Sequence, residues 1–439
     1  MRGAARRARV FITLFFLLSF ALATAAPARG ETSPPAEGQV MVTPPPPDGA
    51  EPGAPLPPFV PPPAPVPPPA PPPNPPAGYV EGTGFVIQSP DAAYRLRVGL
   101  TAAYKFEPVY QNGDWQSRNT FFVLRPSISG NFLREWIHFW TSLELAANPP
   151  YVLDSFLELF PWKELGLRIG QQWTPFDRHE YFGPQEILFA TWAPVSEYFW
   201  TGRDKGVTAM GVLADKLEYW AGVYSGTPLR QYNALPGNYV LQGRLTWSPL
   251  GLVGGTEFPY ITSEGGAPLR VSATVQGYYG KVQLSQENFN PSTFTFQAMA
   301  TGDTRKQGAG GADFWLSGRW FMLYIDAMIR HTEPPMGAAS FTSVGVWGQL
   351  GVPIVAKTMD VAARVNWLNP STTLGNDQFY SIEGQVAYYA SHSQGLVIKL
   401  RYGYGHQDSP GMAALGAVPL VIANPGRTQL GTLQIHLSF

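Results

Sequence analysis

The chain contains no cysteine, which excludes a disulfide scaffold, thiolate metal sites and thiol nucleophiles. Charge is scarce too: Asp, Glu, Lys and Arg make up 14% of the 439 residues, against about 25% in a typical soluble protein. That is too little for an ordinary enzyme surface. The 30 Lys and Arg face 31 Asp and Glu, so there is no overall basic character to hold a phosphate backbone, and no nucleic-acid partner is expected. The six His form no His-Glu-x-x-His pair, and no Gly-x-Ser-x-Gly elbow occurs. Ser391-His392-Ser393 comes nearest to a nucleophile beside a base, and the pattern below puts it in a short turn. No enzymatic activity, metal or cofactor is expected. Apolar residues are 44% of the chain, yet no run of membrane-helix length interrupts its body.

What is present begins with an address. Arg2, Arg6, Arg7 and Arg9 precede the apolar stretch Val10 to Leu22, and Ala23-Thr24-Ala25 follows, the tripartite form of a secretory signal peptide. Thirteen helical residues span about 20 Å, short of the roughly 30 Å hydrocarbon core, so residues 1–25 read as a cleaved leader rather than an anchor. Removing four arginines from 30 bases against 31 acids leaves a mature charge of −5. Residues 26–78 then form a proline-rich arm, with 22 of the 45 prolines between Pro34 and Pro76. Such a segment cannot pack a core and is expected to be disordered. In polyproline II geometry, at about 3.1 Å per residue, it reaches up to about 130 Å. It reads as a periplasmic arm, either a plain spacer or a contact with the cell wall or a partner.

From residue 79 to 439 apolar and polar side chains alternate with period two, in segments of roughly nine to thirteen residues. Tyr94, Leu96, Val98, Leu100, Ala102, Tyr104 and Phe106 share one parity; Arg95, Arg97, Thr101 and Lys105 share the other. Phe321, Leu323, Ile325, Ala327 and Ile329 likewise oppose Tyr324, Asp326 and Arg330. Sixteen such segments can be drawn, near 94–106, 119–131, 136–146, 151–160, 165–173, 206–213, 217–225, 239–248, 269–279, 312–320, 321–330, 341–352, 359–368, 379–389, 396–404 and 428–439. Their 12 Lys or Arg and 8 Asp or Glu can all be placed on one face per segment.

A soluble antiparallel sandwich alternates as well. The end of the pattern points elsewhere: Leu433, Ile435, Leu437 and Phe439 oppose Gln434, His436 and Ser438, the form of the last strand of a bacterial outer-membrane barrel. Aromatics near segment ends, such as Trp173, Trp247, Trp367 and Tyr404, suit girdles at two water interfaces. The expected fold is all-β, a 16-stranded antiparallel transmembrane β-barrel over 79–439, its apolar face against outer-membrane lipid. With the N-terminus periplasmic, the links 174–205, 226–238, 280–311, 331–340 and 405–427 are external and mostly long. Those at 132–135, 161–164, 214–216, 353–358 and 390–395 are short, which is the outer-membrane asymmetry. The link 249–268 breaks it.

The stretch Leu167-Arg168-Ile169-Gly170-Gln171-Gln172-Trp173-Thr174-Pro175-Phe176, with Glu180 after it, resembles the Leu-Arg-x-Gly-Gln-x-x-x-Pro-Phe stretch of the phosphate-selective porin O and P family. Asp154 upstream, Arg203-Asp204-Lys205-Gly206, and Gly345 to Asn366 resemble further parts of that family in the same order. The resemblance covers most of 84–439. It implies a sixteen-stranded homotrimeric diffusion pore with anion preference, a basic lining and a loop folded into the lumen. The chain departs from the pattern in having only eight Lys, without an obvious cluster.

The residues support part of that implication. Twelve inner-face bases exceed eight inner-face acids by four, and a narrow lumen focuses such a potential on passing anions. Arg97, Arg125, Arg168, Arg364 and Arg401 on the strands, with Arg178, Arg203 and Lys205 on or beside the 174–205 link, are the candidate pore-lining and anion-contact residues. The bland alternative is pairing, as of Asp360 with Arg364 or Asp313 near Arg330, because buried charges need partners. The 174–205 link is too apolar for a surface loop: Phe182, Leu188, Phe189, Trp192, Tyr198, Phe199 and Trp200 suit packing against the inner wall, an external lid or a trimer contact. Folded inward, the link narrows the pore and sets Asp177, Glu180, Glu186, Glu197 and Asp204 beside its bases near the constriction. The functional expectation is an outer-membrane porin passing small hydrophilic solutes, anions such as phosphate among them, its partners being lipid and further copies in a homotrimer. The alternative is a barrel serving mainly as a structural tether to the cell wall through its arm.

Overall fold

The computed structural model describes residues 77–438 apart from 81–83, 92, 112, 148–149, 228–236, 263–266, 291–294, 334–338, 374–376, 391–394 and 409–425. The leader, most of the proline-rich arm and Phe439 lie outside the described residues. A short hairpin, β1 (Ala77–Val80) and β2 (Gly84–Gln88), opens the described chain. Sixteen strands follow: β3 (Arg95–Gln111), β4 (Asp114–Phe132), β5 (Arg134–Glu144), β6 (Tyr151–Trp162), β7 (Leu165–Trp173), β8 (Arg203–Leu213), β9 (Leu217–Tyr224) and β10 (Val240–Trp247) make one half. The other half is β11 (Arg270–Asn290), β12 (Thr295–Gly318), β13 (Phe321–Glu333), β14 (Phe341–Val355), β15 (Met359–Asn369), β16 (Phe379–Tyr389), β17 (Leu396–Gln407) and β18 (Gly426–Ser438).

Each strand pairs antiparallel with the next, and β18 returns to β3 through Gln434↔Lys105 and Ile435↔Tyr104. The sheet therefore closes into a 16-stranded antiparallel barrel, the expected fold. Closure removes sheet edges, so the ladder needs no water to satisfy its backbone, as lipid surroundings demand. The β2 strand was not foreseen. It occupies the edge of β3 at Arg95–Val98, just beyond the stretch that β18 pairs.

Every one of the sixteen alternating segments corresponds to one barrel strand, because two solvents act on the two faces. The outer parity is apolar and exposed, with Val275 and Leu400 at 60%. The inner parity is mostly polar or aromatic, with Met322, Met328 and Leu368 among it, and largely buried, as in the alternating burial of β13, β15 and β16. The link expected over 280–311 is mostly ladder instead: β11 and β12 stay paired as far as Asn290↔Thr295. Gln283, Ser285, Gln286, Glu287 and Asn288 carry little apolar alternation, and alternation needs one apolar side that a hairpin projecting beyond lipid does not have.

Candidate functional site

Between β7 and β8 the chain turns into the barrel. Both the backbone N–H and the hydroxyl of Thr174 donate to the Gly202 carbonyl, at 3.3 and 2.9 Å, closing the neck of the loop. Asp177, at φ 68°, reverses the chain. Its carboxylate accepts the His179 N–H at 2.9 Å, capping the short helix α1 (Arg178–Tyr181), and also accepts the Ser196 hydroxyl from α2 (Pro194–Phe199). Pro194 starts α2, where its missing N–H costs nothing.

Phe176, Ile187, Leu188, Phe189, Val195, Tyr198 and Phe199 are each at most 1% exposed. They join one cluster with the inner-wall residues Tyr278, Trp315, Met322, Tyr324, Met328, Trp347, Leu368, Phe379 and Tyr389. At roughly 1.5–3 kcal/mol per buried apolar side chain, this burial opposes the entropy lost in ordering the loop and accounts for its inward course. Two glycines of β14 make the fit possible. A Cβ on Gly345 would run into Val195 and Phe199, and one on Gly351 into the Tyr260 hydroxyl and Leu188.

Tyr260 belongs to the link between β10 and β11, at the opposite rim. That link, the one too long for its side, also folds inward. Glu257 and Phe258 are fully buried, Tyr260 and Ile261 nearly so, and Pro259–Thr262 forms a helical turn, α3. Phe258 packs on Tyr389 with ring centres 5.0 Å apart, and the Tyr260 hydroxyl donates to Asp360 Oδ2 at 3.1 Å. The anomaly in loop length had a physical content: Phe258-Pro259-Tyr260-Ile261 is an apolar run with a wall to bury against.

The anticipated site residues separate into two groups. Arg364 and Arg401 are wholly buried behind the loop. Arg364 pairs with Glu383 at 2.7 Å and donates to the Thr191 carbonyl at 2.8 Å; Arg401 lies 3.3 Å from the same Glu383 and donates to the Thr191 hydroxyl. Lys399 donates to the carbonyls of Ile187 and Phe189 at 2.7 and 3.0 Å, and Gln385 bonds both Leu188 and Ala190. These four wall residues clasp 187–191. The pairing of Asp360 with Arg364 expected from sequence does not form, since Asp360 accepts from the Tyr260 and Tyr389 hydroxyls. Nor does Arg330 reach Asp313: it donates to the Tyr198 carbonyl at 2.9 Å, while Asp313 stands opposite Asp326 across the β12–β13 ladder.

The second group lines the wall of β3 to β10. Arg125 pairs with Glu144 at 2.6 Å, Arg203 with Asp154 at 2.8 Å, Arg168 with Glu158 at 2.6 Å and Arg244 with Glu218 at 3.0 Å. Several of these groups keep contact with solvent: the side chains of Arg125, Arg203, Glu158 and Glu218 are 15 to 30% exposed. Arg168 also lies over Phe156, Trp173 and Trp220, and Arg244 over Trp220 and Tyr181, so the guanidinium groups sit among aromatic rings that favour a cation. Arg178, on α1, donates to Ser272 at 2.8 Å and stacks over Trp315. Lys205 sits half-buried on β8. Arg97 faces inward on β3 beside Arg95, and among the described residues neither forms an ion pair.

The inward loop carries acids in unusual states. Burial, then the nearby Glu197 and Asp177, push Glu180 well above the ordinary carboxyl range. Burial raises Glu186 to about 7, against the Gly183 N–H that it accepts at 2.7 Å. Position in the sequence set these acids near a constriction but did not show which were buried. Thr191, Glu257, Gln385 and Glu383 carried no signal as loop anchors.

No protein-family model matches the chain, and no characterised protein matches it in sequence. Solved structures do. An anion-selective porin from Comamonas acidovorans superposes with a TM-score of 0.56 at 11% identity, over 78% of this chain and 99% of that one. The fold is that of outer-membrane porins. OmpT of Vibrio cholerae gives 0.52 at 10% identity over 81% and 100% of the two chains, and OprB of Pseudomonas putida 0.50 at 11% over 78% and 94%. At such identities the porin fold is common ground while the lining residues are this chain's own.

Proposed function

We propose that the protein is an outer-membrane porin, exported by its N-terminal leader, through which small hydrophilic solutes diffuse passively. The observation that carries this reading is the contrast of faces on β3 to β10: apolar and exposed outside, charged and partly solvated inside. An apolar exterior matches lipid, and a solvated charged interior beside an inward loop is a water path. Homotrimer formation, and contact of the proline-rich arm with the cell wall, belong to the same proposal.

The preference is for anions, phosphate among them, with Arg97, Arg125, Arg168, Arg203 and Lys205 as the contacts. Arg95 and Arg97 supply positive charge without an ion-pair partner among the described residues. The other arginines already share carboxylates, which supports weak selection in passage over tight phosphate capture. Membership of the phosphate-selective porin O and P family rests on the sequence motifs. Reconstitution in planar bilayers tests the reading. Stepwise conductance with a reversal potential of anionic sign is expected; a tether or an enzyme gives no steps.

A further inference from the structure

The contact between the two inward segments is built around one carboxylate. Glu257 Oε1 meets His179 Nδ1 of α1. Its Oε2 accepts the Leu188 N–H at 2.7 Å and the Gln349 side-chain amide at 2.7 Å, and its own N–H donates to the Glu186 carbonyl at 2.8 Å. His179 Nε2 accepts the Ala193 N–H at 2.9 Å. That assigns the ring proton to Nδ1, so the imidazole donates to Glu257. Three donors, from α1, from the middle of the loop and from β14, thus converge on a side chain brought in from the opposite rim.

We propose that Glu257 is a positioning residue for permeation: it fixes how far the 174–202 loop extends across the lumen. The inference rests on the channel reading. The clasp formed by Arg364, Gln385, Lys399 and Arg401 holds residues 187–191 to the wall of β15 to β17. Glu257 ties the N–H of Leu188, inside that stretch, and His179, ahead of it, to the β10–β11 link and to Gln349. Apolar burial keeps the loop inside the barrel. The pin sets its position, because apolar contact is non-directional and three hydrogen bonds to one carboxylate are not. A link from the far rim therefore shares in defining the width of the passage.

The test uses the full chain folded in detergent and reconstituted in planar bilayers. Glu257→Ala removes the acceptor. Glu257→Gln keeps its shape but turns one oxygen into an amide donor facing donors. Both are expected to shift mean single-channel conductance by at least about 1.5-fold and to add current fluctuations absent from the parent, since a loosened constriction samples several widths. Leu252→Ala, on the same link but exposed, serves as the control and leaves the trace unchanged. If neither Glu257 variant folds, Gln349→Leu removes one donor, keeps His179 and Leu188 in place, and reads the same change on a smaller scale. A conducting parent with Glu257 or Gln349 variants of identical conductance and noise overturns the inference alone. A parent that gives no steps overturns the channel reading, and this inference with it.

Discussion

The walls of β3 to β9 and β11 to β17 are written in the same alternating code, yet one is wet and the other dry. On the first, each inner ion pair of arginine and acid keeps one partner partly exposed. On the second, Arg364, Glu383 and Arg401 have no exposure at all, and Trp315, Tyr324 and Trp347 stand where a water-filled lumen would want polar groups. The cause lies far away in sequence, in a loop that leaves after β7 and is laid over the later strands. An inner-facing charge is therefore either a pore wall or an anchor, and its own strand does not say which.

The sharpest break in the comparison comes from matched acids. Glu383→Ala leaves Arg364 and Arg401 buried without their carboxylate, and is expected to cost about 3–5 kcal/mol. Glu144→Ala leaves the partly solvated Arg125 and the Leu124 and Ala146 N–H groups without their acceptor, and is expected to cost less, about 1–3 kcal/mol. Denaturant melts of the detergent-folded barrel give both numbers. Equal losses would mean that the two walls do not differ in solvation.

A steric version has a smaller effect. Gly345→Val drives a side chain into Val195 and Phe199 of α2, and overpacking of that kind costs about 1–3 kcal/mol. Gly384, on β16, has open space where a Cβ would stand and accepts Val with little change. Conductance should fall only in the first variant, as α2 is pushed off β14 toward the passage.

How much of this was legible follows from what alternation measures. A period of two reports that a strand separates two environments, so all sixteen strands could be drawn from residues such as Leu96 against Arg97 or Ile325 against Asp326. The apolar content of Phe182, Leu188, Phe189 and Tyr198 gave the inward loop, because such side chains have no place in water. The wall that the loop covers was not legible. Arg364 and Arg125 look alike in sequence, and only the arrival of Thr191 beside the first, 173 positions away, distinguishes them. The β10–β11 link stood out by length, but its partner His179 is 78 positions removed.

Acidity probes the seam between loop and wall. Glu186 has a pKa of about 7 in the folded protein against an ordinary value of 4.5. A carboxyl raised on folding is no burden below about 4.5, where both states are protonated. Stability then falls as pH rises from 4.5 to about 7, because the unfolded state releases its proton first, and levels off above. Loop docking, read by protease protection of 174–202, is expected to weaken across that window, and Glu186→Gln should flatten the profile. A profile unchanged by Glu186→Gln would assign the dependence to another group.

Removing bases from the first wall is the most informative about passage. Arg125→Gln and Arg203→Gln each take the base from a buried acid that keeps other donors, the Leu124 and Ala146 N–H groups for Glu144 and the Ser142 hydroxyl for Asp154, at a cost of about 1–3 kcal/mol, so the barrels should fold. Each also removes positive charge from a wall that solutes can reach, and the anion-to-cation permeability ratio should fall in proportion to how closely the residue borders the path. Arg97→Gln is expected to lower the ratio most cleanly, because among the described residues no ion pair is disturbed. Arg364→Gln gives the opposite result: its guanidinium is fully buried against Glu383 and Thr191, so the ratio stays put while the melt moves. Reversal potentials and melts on the same four proteins separate lining from anchoring. If Arg364→Gln shifts selectivity as much as Arg125→Gln, the dry wall is not dry during conduction and the loop must leave it. If the parent itself is cation-selective, Glu144, Asp154, Glu158 and Glu218 outweigh their partner arginines in the open channel, and the anion preference falls while the passage along β3 to β9 stands.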